Sequence, residues 1–266
     1  GLEDYKKEFA HQRSDLAQWE FASKNPNLLE TIFNAKVTVL LGLSGQGASF
    51  DQKIIEAVMK NTKKPIVFAL SNPTNLTEIM PEDAIAWTDG QVWMATGSPF
   101  PAVTWKGKQH IIGQGNNTFV FPGIGWGVAA SGARTVEAEM MTDASFALAS
   151  QVTPERLASG AVFPPIADLM KVTDHVARAV AESAMRIGVD AARRARRSNP
   201  GAFIVFYGLY AWLNRDYLLG EEGLADAVVA GEYETALVQL AEAVLRNEDP
   251  ATVTGVTTRT SMAKPQ

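Results

Sequence analysis

Residues Lys36 to Lys60 read KVTVLLGLSGQGASFDQKIIEAVMK. The first half is a short β-rich run that ends in small residues. In the second half Ile54, Ile55, Val58 and Met59 recur at helical spacing, with Ser49 or Asp51 available as the N-cap. The theme then repeats. PIVFALSNPT (Pro65 to Thr74) is an unbroken apolar run followed by polar turn residues. MPEDAIAW (Met80 to Trp87) is a short helix with Pro81 in its first turn, and QVWMATGSPF (Gln91 to Phe100) is a third apolar run closed by Gly and Pro. Buried strands alternating with helices predict an α/β fold built on a mostly parallel sheet with crossover helices.

Further along, AVTWKGKQHII (Ala102 to Ile112) alternates around Lys106-Gly107 and predicts a hairpin. After Asn117 the pattern turns helical, over Val136 to Leu148 and Ile166 to Ile187. A small helix in VTPERLASG lies between them, capped by Thr153 and stopped by Gly160. Arg193, Arg194, Arg196 and Arg197 read as a solvated helix end, followed by a break at Ser198-Asn199-Pro200-Gly201. Beyond the break, DAVVAGEYETALVQLAEAVLR (Asp226 to Arg246) reads as helices, and Met262 to Gln266 as a frayed end.

With 266 residues, 46% of them hydrophobic, the chain can bury a substantial core. A net charge of −5 argues against a nucleic-acid partner. The longest apolar block, Phe203 to Leu213, has eleven residues. A bilayer span needs about 20, so no membrane partner is expected. The absence of cysteine excludes disulfides and thiol chemistry and fits a cytoplasmic location. The chain opens on a polar, loop-like stretch without Met, as a piece of a longer protein would.

In open parallel sheets ligands bind at the carboxyl ends of the strands. Here those ends carry Leu43-Ser44-Gly45, Ser71-Asn72-Pro73-Thr74 and Thr96-Gly97-Ser98-Pro99. Small residues admit a flat ring or a diphosphate to the backbone, and an asparagine offers an acceptor and two donors without charge. Turns also need Gly and Asn, and GLSGQG is not the G-x-G-x-x-G fingerprint. A further pair, Asn116-Asn117, stands between a glycine pair and a long apolar run in IGQGNNTFVFPGIGWGVAASGA (Ile112 to Ala133). Buried amides left without partners would cost about 1–3 kcal/mol each.

Taken in order, LLGLSGQGASF, KPIVFALSNPT, WTDGQVWMATGSPFPAV, GQGNNTFVFPGIGWGV and LASGAVFPPIADLMKVTDHVA resemble the C-terminal half of malic enzymes over roughly Leu2 to Ile187. The resemblance implies a Rossmann-like domain lacking its first βα units, assigned with its C-terminal helices to residues 1–197; residues 198–266 lie outside the resemblance and are expected to form a helical appendage of unknown role. It implies oxidation of malate with NAD or NADP, decarboxylation to pyruvate and CO2, a Mg2+ or Mn2+ ion, and a homo-oligomer, dimer or tetramer. By motif, Asn72 would lie beside nicotinamide and malate, Asn116 and Asn117 would hydrogen-bond malate, and Ser44, Gly45 and Ser71 would border the cofactor. Lys6, in EDYKKEFAH, stands where NADP-preferring relatives carry a lysine near the 2′-phosphate.

The family's acid–base Tyr and Lys, its acidic metal ligands and its first glycine fingerprint belong to an N-terminal half that cannot be mapped onto this chain. No catalytic residue and no metal ligand are therefore assigned within these 266 residues, and the chain alone is expected to be inactive. His11, His110 and His175 have no partner at metal-ligand spacing, and His175 is expected at a packed helix face. Two alternatives share most of these motifs: a malolactic enzyme, which releases lactate, and a non-catalytic nucleotide-binding module.

Overall fold

The computed structural model describes residues 3–7, 10–22, 24–220 and 224–262. The chain forms two compact units, Gly1–Asn116 with Thr153–Phe163, and Asn117–Val152 with Pro164–Gln266. This division differs from the boundary expected at residue 197, which falls in the last turn of a long helix of the second unit.

The first unit runs α1 (Asp4–Lys7), α2 (Leu28–Ala35), β1 (Val39–Gly42), α3 (Gln52–Asn61), β2 (Ile66–Ala69), α4 (Pro81–Trp87), β3 (Trp93–Thr96), β4 (Val103–Trp105), β5 (Lys108–His110) and β6 (Gly113–Gln114). Strands β1, β2, β3 and β6 form one sheet in that order, and every pair is parallel. Asp51 is the cap of α3, accepting from the Ile54 N–H at 2.9 Å. β4 and β5 form the expected hairpin, with Lys106 and Gly107 both at positive φ. Helix α2 was not anticipated. Asn27 caps it and Glu30 bonds back to the Asn27 N–H, each at 2.9 Å.

Ile32, Ile54, Ile55, Val58 and Ile85 of α2, α3 and α4 pack with Leu40, Val67 and Met94 in one apolar cluster, covering one face of the sheet. On the other face Phe68 meets Phe163 with ring centroids 5.8 Å apart. Val39 and Leu41, which alternate with buried Leu40 and Gly42 along β1, are 49% and 56% exposed, and Leu43 just beyond the strand is 67% exposed. Among the described residues no strand pairs with the outer edge of β1.

Chain order continues with α5 (Phe121–Ser131), α6 (Ala138–Ala149), α7 (Pro154–Ala158, in the first unit), α8 (Leu169–Ser198), β7 (Val205–Tyr207), α9 (Leu209–Leu213), α10 (Arg215–Leu219), β8 (Ala227–Val229), α11 (Tyr233–Leu245), β9 (Val256–Thr258) and α12 (Arg259–Met262). In the second unit α5 and α6 both pack along α8. Val172, Val176 and Val180, four residues apart on α8, are fully buried. A Cβ on Gly123 or Gly127 of α5 would fall 2.6 Å from Val176 Cβ or Val180 Cβ, so the two glycines set how closely α5 approaches α8. Arg186 of α8 reaches Glu139 and Asp143 of α6 at 2.7 and 2.6 Å. The Arg186 hydrogen bond, with a further one from Ser183, holds the Asp143 carboxyl below its ordinary range.

The segment past residue 198 is not all helix, as expected above. β7 pairs parallel to β8 and β9 antiparallel to it. Ala227, Val228 and Val229 are all buried, which suits a central strand. The helix expected from residue 226 therefore begins only at Tyr233. Helix α8 runs past Ile187 to Ser198 and takes the four arginines into its last turns. They are not simply a solvated end. Arg196 pairs with Asp226 at 2.7 Å and donates to the Ala202 carbonyl at 2.6 Å, tying α8 to the chain around β7 and β8. Among the described residues no helix is long and apolar enough to cross a membrane.

Candidate functional site

The carboxyl ends of the four parallel strands lie along one edge of the first unit. Ser44 and Gly45 follow β1, Ser71 and Asn72 follow β2, Gly97 and Ser98 follow β3, and Gly115 and Asn116 follow β6. Asn72 is exposed. Its Oδ1 accepts from Ser98 Oγ at 2.6 Å, and a Cβ on Gly97 would fall 2.9 Å from its Nδ2. The asparagine therefore bridges from the end of β2 to the end of β3, over a glycine that leaves it room. Gln114 Nε2 donates to the Gly97 carbonyl at 3.3 Å, which ties the end of β6 to the same turn.

Asn116 is half-buried, two residues beyond β6. β6 is two positions from β2, or about 10 Å between strand axes. Asn72 and Asn116 thus share one edge. Asn117 is exposed and opens a 3-10 turn, Asn117–Phe119, at the start of the second unit. Its carbonyl accepts from the Val120 N–H at 3.0 Å. The desolvation cost anticipated for buried amides does not arise at Asn72 or Asn117, because water reaches both.

Ser71 is buried and its hydroxyl is committed to protein. It accepts from the Gly45 N–H at 2.9 Å and donates to Glu78 Oε1 at 2.5 Å. Glu78 was not singled out from the sequence, and it is fully buried beneath this edge. Its only sequence signal is an acid inside TEIM, between Thr77 and the apolar Ile79-Met80. Ser98, also not singled out as a site residue, lies in the expected strand end Thr96-Gly97-Ser98-Pro99. Gly45 has open space around it, and a Cβ there would meet nothing within 4 Å. The Lys6 side chain lies outside the described residues. His175 is exposed, with its Nδ1 2.8 Å from the Lys171 carbonyl, and does not sit at a packed face.

The family model for the NAD-binding domain of malic enzymes matches residues 1–185. The chain belongs to the malic enzyme family. It is 43% identical over 188 residues to an NAD-dependent malic enzyme of Proteus mirabilis, covering 71% of this chain and 33% of that protein. It is 40% identical over 188 residues to an NADP-dependent malic enzyme of Vitis vinifera, covering 71% and 30%. A chloroplastic NADP-dependent malic enzyme of Zea mays is 37% identical over 219 residues, covering 81% and 32%. The chain thus spans about a third of the length of the curated relatives it matches.

The strand-end edge of this NAD-binding domain carries exposed Leu43, free space on the side-chain side of Gly45, and the Asn72 amide bonded by Ser98. An uncharged amide at such an edge can donate and accept hydrogen bonds without adding charge. Among the described residues no three His, Asp or Glu side chains gather into a group that could hold a metal ion, and hard cations require several oxygens at once.

Proposed function

We propose that the chain is the nicotinamide-binding part of an NAD- or NADP-dependent malic enzyme that oxidises malate and decarboxylates the product to pyruvate and CO2. The observation that carries the reading is the Asn72 bridge: an exposed amide, held by Ser98 over Gly97, at the carboxyl edge of a parallel sheet. The bound dinucleotide supplies the hydride acceptor. This chain's part is to orient. Asn72 faces the carboxamide and the malate, and Asn116 and Asn117 hydrogen-bond the malate. Ser44, Gly45 and Ser71 border the cofactor, and Lys6 supplies a cation toward a 2′-phosphate. The unpaired edge of β1 favours a larger sheet, and its bare face, with Val39, Leu41 and Leu43 in solvent, favours a covering layer, both supplied by the N-terminal half. That half brings the acid–base pair and the Mg2+ or Mn2+ ligands, and the complete enzyme is a cytoplasmic dimer or tetramer.

Two measurements test this. The isolated chain with Mn2+ gives no malate-dependent reduction of NAD or NADP, and robust turnover would refute the division of labour. In the complete enzyme Asn72→Ala lowers kcat/KM for malate at least tenfold, about 1.4 kcal/mol of transition-state stabilisation. Unchanged kinetics would remove Asn72 from the site. Lactate in place of pyruvate among the products would make the enzyme malolactic.

A further inference from the structure

Glu78 is 0% exposed, and among the described residues no cation pairs with it. Burying a carboxylate without a counter-charge is costly unless donors surround it. Here three donors converge on its two oxygens. Oε1 accepts from Ser71 Oγ at 2.5 Å and from the Ser44 N–H at 3.2 Å. Oε2 faces the Ser71 N–H at 3.4 Å. Ser71 Oγ extends the network by accepting from the Gly45 N–H. The backbone joins in: the Phe50 N–H donates to the Glu78 carbonyl at 2.9 Å, and the Ala48 N–H to the Thr77 carbonyl at 3.0 Å. Gly42, the last residue of β1, leaves room for the carboxyl group, since a Cβ there would fall 2.5 Å from Glu78 Cδ.

This arrangement has two consequences. First, the amides of Ser44, Gly45 and Ser71 point inward. At a strand end such amides often serve an anionic ligand; here an internal carboxylate and the hydroxyl it holds take their place. Second, only a carboxylate has acceptors on both terminal atoms. A glutamine of the same shape would set its NH2 against a backbone N–H or against the Ser71 and Ser44 donors. A turn-closing role alone would not require that chemistry where the exits of β1 and β2 meet, since the Leu70 N–H already donates to the Gly42 carbonyl there at 2.9 Å.

We propose that Glu78 is a positioning residue of the nicotinamide edge: it locks the exits of β1 and β2 together and so fixes Asn72, the next residue after Ser71, without touching ligand. The proposal rests on the function proposed above.

The test uses the complete enzyme and its Glu78→Gln and Ser71→Ala variants. Hydrogen exchange is resolved to single amides, cofactor Kd is measured by titration, and kcat, KM and Tm are recorded. Glu78→Gln is expected to speed exchange at Ser44, Gly45 and Ser71 at least tenfold, leaving the β2 and β3 amides protected, and to raise the Kd for NAD or NADP about tenfold. Ser71→Ala keeps the carboxylate. It should speed exchange at Gly45, raise Kd less, and leave the Ser44 amide protected. A lower Tm with unchanged Kd would make Glu78 structural only and overturn the proposal, as would unchanged exchange at the three amides. If Glu78→Gln does not fold, Ser71→Ala decides: a Gly45 amide and a Kd both like wild type overturn it. A wild-type enzyme that binds neither dinucleotide removes the functional reading and the positioning role with it. The amide rates would in that case still report whether the brace exists.

Discussion

Two glycine-rich stretches of this chain use the same residue for opposite purposes. In the run from Gly42 to Gly47, at the exit of β1, a missing Cβ makes room for a buried carboxyl group, and the neighbouring amides are held by polar bonds. In Gly123-Ile124-Gly125-Trp126-Gly127, on α5, missing Cβ atoms make room for valines and backbone of α8. The first places small residues around a polar hub. The second places them at an apolar helix–helix contact. Glycine spacing alone does not separate the two cases; the polarity of what fills the vacated space does.

The largest expected effect breaks the second case. A Cβ on Gly127 would lie 2.6 Å from the Ala177 carbonyl and 2.6 Å from Val180 Cβ, and neither can swing aside as the tip of a long side chain would. Gly127→Ala should therefore cost about 2–3 kcal/mol of stability through overpacking, measured as a drop in urea midpoint at unchanged m. Gly123→Ala, facing Val176 Cβ at 2.6 Å, should behave alike. A near-neutral result at both would mean that α5 and α8 separate at little cost, and the glycines would lose their packing role.

The same helix supplies the control. Gly125 is exposed, between the other two, and a Cβ there meets nothing within 4 Å. Inside a helix, Gly is worse than Ala by about 0.5–1 kcal/mol, because it leaves the unfolded chain more freedom. Gly125→Ala should raise stability by about that amount. One substitution at neighbouring glycines thus has opposite signs, and a destabilised Gly125→Ala would show that the spacing argument misses what covers that face.

The sequence disclosed the parallel sheet because hydrophobic strands and helical periodicity alternate from Lys36 to Thr96, and each boundary carries its own turn or cap chemistry, such as Asp51 and Pro81. It disclosed the strand-end edge for the same reason: small and polar turn residues follow the apolar runs directly. The rest was hidden for physical reasons. Helix α2 has a capping box at Asn27 and Glu30, a local signal that could have been read through the polar opening. Strand β8 was invisible because a run as short as Ala-Val-Val has no periodicity to tell it from a buried helix segment, and pairing on both sides makes it a strand. Glu78 was hidden because its role depends on Ser44, more than thirty residues away in sequence and on another loop. No short-range pattern encodes that contact.

The smallest expected effect concerns a third place where glycines make room, this time for a base. The His110 ring is 5% exposed. A Cβ on Gly90 would fall 3.1 Å from its Cε1, and one on Gly160 would fall 3.8 Å from its Nδ1. Lys64 and Lys108 line the same cavity of about 260 Å3. Glu78 is a buried acid provided with donors; the His110 ring, by contrast, shares its cavity with two lysines. Burial first, and the Lys108 charge second, push its pKa below the ordinary histidine value. Between the lowered folded pKa and the unfolded one, the unfolded chain binds more protons. Stability therefore rises with pH across that window and is lost as pH falls from about 6.5 through the folded pKa. One group contributes at most about 1.4 kcal/mol per pH unit, and only inside the window. His110→Gln should flatten the dependence of the urea midpoint on pH between about 7 and 5 relative to wild type. Parallel curves for the two proteins would show that the ring accepts its proton as readily folded as unfolded, and that the glycines around it leave enough room for water to reach the charge.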